Sequence, residues 1–151
     1  MILPLLLTVD FMNFTYDQLP CSENVPPPAI VRKGTYSYYD KAMGSGFNVF
    51  VRGIVRGSLG KGTQQAVVTI ACDYPVGGTA EAYAYDVQGD TAVLLGIVGS
   101  ASWGPDWGRG PDSIHARFAN GILYVTDCKD TECTANETKK YALRGKKLVP
   151  V

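Results

Sequence analysis

Two tryptophans, two aspartates and an arginine crowd the stretch ASWGPDWGRGPDS, residues 101–113, among glycines and prolines. Trp103 and Trp107 bring flat aromatic faces and Asp106 and Arg109 bring charge beside them, the mixture found at binding hot spots. These four are the candidate contact residues. A competing reading has Trp103 and Trp107 fold back to cap the core while the glycines merely let the chain turn. The stretch also holds Asp112, and the one histidine, His115, follows shortly after. Paired carboxylates share acid and base work only at a set separation, and the loop between Asp106 and Asp112 fixes none. Nucleophilic catalysis needs a base held against Ser or Cys, and His115 falls on the polar side of a strand. An enzyme using Asp106, Asp112 and His115 is the least supported reading; no catalytic residue is expected.

Cys21, Cys72, Cys128 and Cys133 form an even set without a C-x-x-C pair or a histidine partner, which argues against zinc and for two disulfides. CKDTEC, residues 128–133, is compatible with a small local bridge, and the remaining bridge would then join Cys21 to Cys72, although the alternative connectivities stay open. GSLGKGT resembles a phosphate loop only at first sight, because Gly62 follows Lys61 where Ser or Thr is required. No calcium-loop pattern is present. Neither a metal nor a cofactor is expected. Asn13-Phe14-Thr15 and Asn136-Glu137-Thr138 fit the glycosylation acceptor pattern, which matters only in a glycosylating secretory route.

The elements that must position these residues are strands. At 151 residues the chain is long enough for one ordinary core. Its 14 basic side chains balance 14 acidic ones, so the bulk charge points to neither nucleic acid nor an anionic membrane. MILPLLLT is too short to span a bilayer, and fits either a clipped signal segment or a first apolar strand. Residues 1–33 read as an extended N-terminal arm, with three consecutive prolines favouring an extended path. Residues 34–151 read as a single β-rich domain, because short apolar runs recur between Gly, Asn and Asp clusters and no stretch keeps a helical period.

The clearest unit is SIHARFANGILYVTD. Asn120-Gly121 supplies the positive φ angles of a two-residue turn, so Ile114, Ala116, Phe118, Leu123 and Val125 share the core face while His115, Arg117, Tyr124 and Thr126 share the other. AEAYAYDVQGDTAVLLGIV predicts a second hairpin at Gln88-Gly89-Asp90, apolar on both faces as in the middle of a packed sheet. FNVFVRGIVRG and QQAVVTIACDY form a third pair across SLGKGT, with Ala66, Val68, Ile70 and Cys72 pointing to the core. A last hairpin is expected across Arg144-Gly145. The fold class is all-β with few or no helices: an antiparallel sheet of several hairpins, sandwich-like or a partly closed barrel.

DFMNFTYDQLPC, FNVFVRGIVRGSLGKGTQQAVVTIACDY, AYAYD, LLGIVGSASWGPDWGRGPDSI, FANGILYVTDC and YALRGKKLV, taken in order, resemble a group of uncharacterised bacterial secreted or lipoprotein-type proteins. That group is similar in its D-F-x-N-F-T-Y segment ahead of a cysteine and in an A-V-V strand ending in Cys, and the resemblance covers residues 10–149. It implies an exported, disulfide-containing β domain with no assigned reaction. Where the group carries an acidic turn suited to calcium, residues 57–63 offer no carboxylate, and the loop with Trp103 and Trp107 is a departure as well.

These readings converge on a non-catalytic binding or structural domain that is extracellular, periplasmic or on the cell surface. Its expected partners are a protein or carbohydrate there, or copies of itself joined through the N-terminal arm, with no nucleic acid and no transmembrane span. An inhibitor of an extracellular hydrolase is the alternative.

Overall fold

The computed structural model describes residues 8–108 and 110–151. A two-residue ladder pairs β1 (Thr15–Tyr16) with β2 (Ala29–Ile30). Five strands then meander into one antiparallel sheet in sequence order: β3 (Thr35–Asp40), β4 (Ser45–Gly57), β5 (Gln65–Tyr74), β6 (Gly77–Gln88) and β7 (Thr91–Trp103). After a 3-10 turn at Pro111–Ser113, a second meander sets β8 (His115–Ala119), β9 (Ile122–Cys128), β10 (Asn136–Arg144) and β11 (Lys147–Pro150) side by side. The fold is an all-β sandwich, and neither sheet closes into a barrel.

Turn chemistry sets the registers. Asn120 at φ 51° and Gly121 at φ 75° make the turn that pairs Ala119 with Ile122 and His115 with Thr126, as the sequence predicts. The last hairpin turns one residue later than expected: Arg144 still pairs with Lys147, and Gly145-Lys146 forms the loop. Between β4 and β5 the glycine-rich loop is closed by buried Gln65, which accepts from the Leu59 N–H at 2.6 Å and donates to Asp86 at 2.9 Å. That amide is spent on structure, in keeping with a hairpin loop rather than an anion cradle.

The five-stranded sheet is buried on both faces, and β5 and β6 show how. On one face Ala66, Val68, Ile70 and Cys72 of β5 join Tyr83, Tyr85 and Val87 of β6; on the other, Val67 and Ala71 join Ala80, Ala82 and Ala84. The alternation in AEAYAYDV thus puts tyrosines on one side and methyl groups on the other. The methyl side admits the second sheet closely: a Cβ on Gly99 would sit 3.1 Å from both Ile114 and Val125. The tyrosine side is covered by the N-terminal segment, where Phe11, Tyr16, Leu19, Val25 and Val31 are buried. The described part of the expected arm is therefore a third layer with irregular backbone. Asn13 helps to hold its shape, donating to Asp10 at 2.8 Å and accepting from the Lys33 N–H at 2.9 Å.

A second expectation is corrected. β7 is an edge strand rather than a central one, and it leaves Val93, Leu94 and Ile97 exposed. Its apolar character on both faces is that of a strand bulged twice against β6, which swings successive side chains off strict alternation.

Candidate functional site

Both disulfides form, Cys21 with Cys72 and Cys128 with Cys133. The first fastens the N-terminal layer to β5 near one end of the sheet, and a groove of about 630 Å³ opens there. It is lined by Pro20 and Glu23, flanking Cys21, by Tyr74 and Val76 at the β5–β6 turn, and by Trp103 and Trp107. The chain reaches this arrangement through close approaches that only glycine permits. A Cβ on Gly78 would collide with the Trp103 indole, and one on Gly104 with the Trp107 indole. The Gly104 N–H donates to the Trp107 carbonyl at 3.0 Å, folding the loop back on itself.

The two tryptophans have divided tasks. Trp103 is half-buried and packs against the core between the sheets, so the capping reading describes it in part. Trp107 is 42 % exposed and stands at the groove. Asp106 is exposed on the loop but does not line the groove, and Arg109 lies outside the described residues. Tyr74, Glu23, Pro20 and Val76 were missed by sequence reasoning, because they reach the site only through the Cys21–Cys72 bridge and the β5–β6 turn. Partial burial, reinforced by the Glu23 carboxylate, raises the pKa of Tyr74 above its ordinary value. Aromatic faces with a few convergent polar atoms are the make-up of small-molecule sites in general.

Asp112 and His115 lie elsewhere, along a smaller depression with Arg52 and Thr69. Arg52, the extra residue where β4 bulges against β5, pairs with Asp112 at 2.8 Å, and Asp112 is 75 % exposed. Asp106 is not among the residues lining that depression, so the two loop aspartates do not converge on a shared site.

Between the sheets Asp127 is buried. Its Oδ2 accepts from the Ser100 N–H at 3.0 Å and lies 3.8 Å from Lys139 Nζ, while Oδ1 has no hydrogen-bond partner. Burial works against the charge on Lys139, but Asp127 and Glu137 outweigh it and hold the ammonium's pKa above its ordinary value. By taking the Ser100 N–H, Asp127 ties one backbone donor of edge strand β7 to the second sheet.

Fold and site together define an all-β, disulfide-stapled domain with an aromatic groove at one end of its central sheet. Comparison with known proteins finds no matching family model, no matching curated protein and no matching solved structure. Among the described residues no helix is long and apolar enough to cross a membrane, and no group of three metal-ligating side chains comes together.

Proposed function

We propose that this protein is a non-catalytic binding module of the cell exterior, whether periplasmic, surface-held or released, and that its groove holds the pyranose rings of a neutral carbohydrate. The observation that carries this reading is the convergence of Tyr74, Trp103 and Trp107 on one groove whose polar members include Glu23, Thr79 and Ser102. Aromatic faces pack against the C–H faces of a sugar ring, while carboxylate and hydroxyl groups bond its edge. The two disulfides support the location, since such bonds persist in oxidising compartments. The test is a screen of neutral oligosaccharides by calorimetry on the wild type and on Trp107→Ala. Binding that Trp107→Ala abolishes without lowering the melting temperature supports the groove, and the absence of any neutral-sugar binder refutes it.

A second reading, association with copies of itself, is supported by exposed Val93, Leu94 and Ile97 on edge strand β7. Light scattering on the wild type and on Ile97→Lys tests it. A monomeric wild type removes the reading.

A further inference from the structure

The neutral charge of the whole chain conceals an uneven distribution. Beyond Ile114 the carboxylates are Asp127, Asp130, Glu132 and Glu137. Asp127 is buried, Asp130 and Glu132 lie within the small Cys128–Cys133 loop, and Glu137 pairs with Lys139 at 3.4 Å. Leu123, Val125, Tyr141, Leu143 and Leu148 face the core, so the alternate positions of the four-stranded sheet face outward. Register places Arg117, Tyr124 and Lys140 in one outward row across β8, β9 and β10, and Arg144 opposite Lys147 in another across β10 and β11. All four cations are exposed, and none pairs with a carboxylate among the described residues.

Arg117 and Lys140 have a structural use in flanking the Tyr124 ring, but nothing in the fold calls for Arg144 opposite Lys147. Like charges directly opposite on neighbouring strands oppose sheet formation, and Arg144 with Lys147 is such a pair. Four residues separate Lys140 from Arg144 along β10, so the two rows stand about 13 Å apart at an ordinary strand rise. The result is a flat, extended array of cations with no carboxylate among its outward strand positions.

We propose that the outward face of the four-stranded sheet is a docking surface for a linear anionic polysaccharide bearing carboxylate or sulfate groups. Arg and Lys engage such groups by charge-assisted hydrogen bonds, Arg in bidentate fashion. Two observations choose this occupant over other polyanions. Tyr124 is already flanked by cations, Arg117 at 4.0 Å and Lys140 at 5.7 Å from its ring centre, which leaves no open ring for the base stacking that single-stranded nucleic acid uses. None of the well-exposed large apolar side chains lies at the outward strand positions of this sheet, so it has no wedge to enter a lipid surface. This surface is distinct from the aromatic groove and does not depend on it.

The probe is heparin, a sulfated uronate polysaccharide, with binding measured by calorimetry and by the salt needed for elution from a heparin column. The wild type is expected to bind, and to weaken steeply as salt rises. The quadruple variant Arg117→Gln, Lys140→Gln, Arg144→Gln, Lys147→Gln is expected to bind roughly tenfold or more weakly, since each lost cation releases fewer counterions. Its melting temperature should change little, because the loss of two cation–π contacts with Tyr124 offsets the relief of the like-charge pair. Lys33→Gln with Lys41→Gln, and Trp107→Ala, should leave heparin binding unchanged. Failure of the wild type to bind heparin overturns the proposal. So does undiminished binding by the quadruple variant, or tighter binding to single-stranded DNA or to anionic phosphatidylglycerol vesicles than to heparin.

Discussion

The two faces of the five-stranded sheet are covered in opposite ways. On the methyl face lies a second sheet, whose backbone groups pair with each other and whose leucines and valines need only be set down on β6 and β7. On the tyrosine face lies a segment with a single two-residue ladder, held otherwise by scattered turn hydrogen bonds such as Val25 N–H to the Cys21 carbonyl at 2.8 Å and by side chains: Tyr16 donates to the Phe11 carbonyl at 2.5 Å, and the rings of Phe11, Phe14 and Tyr85 lie against one another. The regular layer has no disulfide to the central sheet; the irregular one has Cys21–Cys72. A disulfide stands where backbone hydrogen bonding does least to offset chain entropy.

The largest expected effect tests that contrast directly. Cys21→Ser with Cys72→Ser opens a loop spanning 51 residues and should lower stability by about 4 kcal/mol in urea unfolding. Leu123→Ala, which empties a fully buried site between the sheets, should cost about 3 kcal/mol, with the N-terminal layer keeping its amide protection. Removing the local Cys128–Cys133 bridge should cost at most about 2 kcal/mol, as its loop is short; a loss equal to that of the long bridge would erase the contrast. Smaller still is a pH effect on the tyrosine side. Burial raises the pKa of Glu81, despite the hydrogen bond from Tyr83 that opposes the rise. The folded state thus holds that proton more tightly than the unfolded chain, so Glu81 lowers stability at neutral pH and the penalty fades as pH falls through its folded pKa towards the ordinary Glu value. Glu81→Gln should melt slightly higher at pH 7, and the advantage should vanish on acidification.

What could be read from the sequence follows the same division. The Asn120-Gly121 hairpin was legible in full, because a turn that demands positive φ and a strict alternation specify register together. The core face of β5 was legible for the same reason. The burial of Phe11, Tyr16 and Val25 was not, since an irregular segment carries no period and its inward residues are chosen by what it meets. β7 misled for a physical reason: whether an apolar strand is central depends on how many partners it has, and two bulges blur its alternation. At the groove, Trp103 and Trp107 announced themselves by type, whereas Glu23 and Tyr74 gained meaning only through their shared neighbourhood with a half-cystine. The outward cations were present in the hairpin registers but hidden by a net charge of zero.

The Cys21–Cys72 bond also bears on the groove. Pro20 and Glu23 stand at the groove because Cys21 is bonded there, and Tyr74 lies two residues beyond Cys72. That part of the groove lining is therefore held by a cross-link as well as by packing on the sheet. Reduction of that one bond should loosen the Pro20–Glu23 side of the groove while the ladders of both sheets stay hydrogen-bonded.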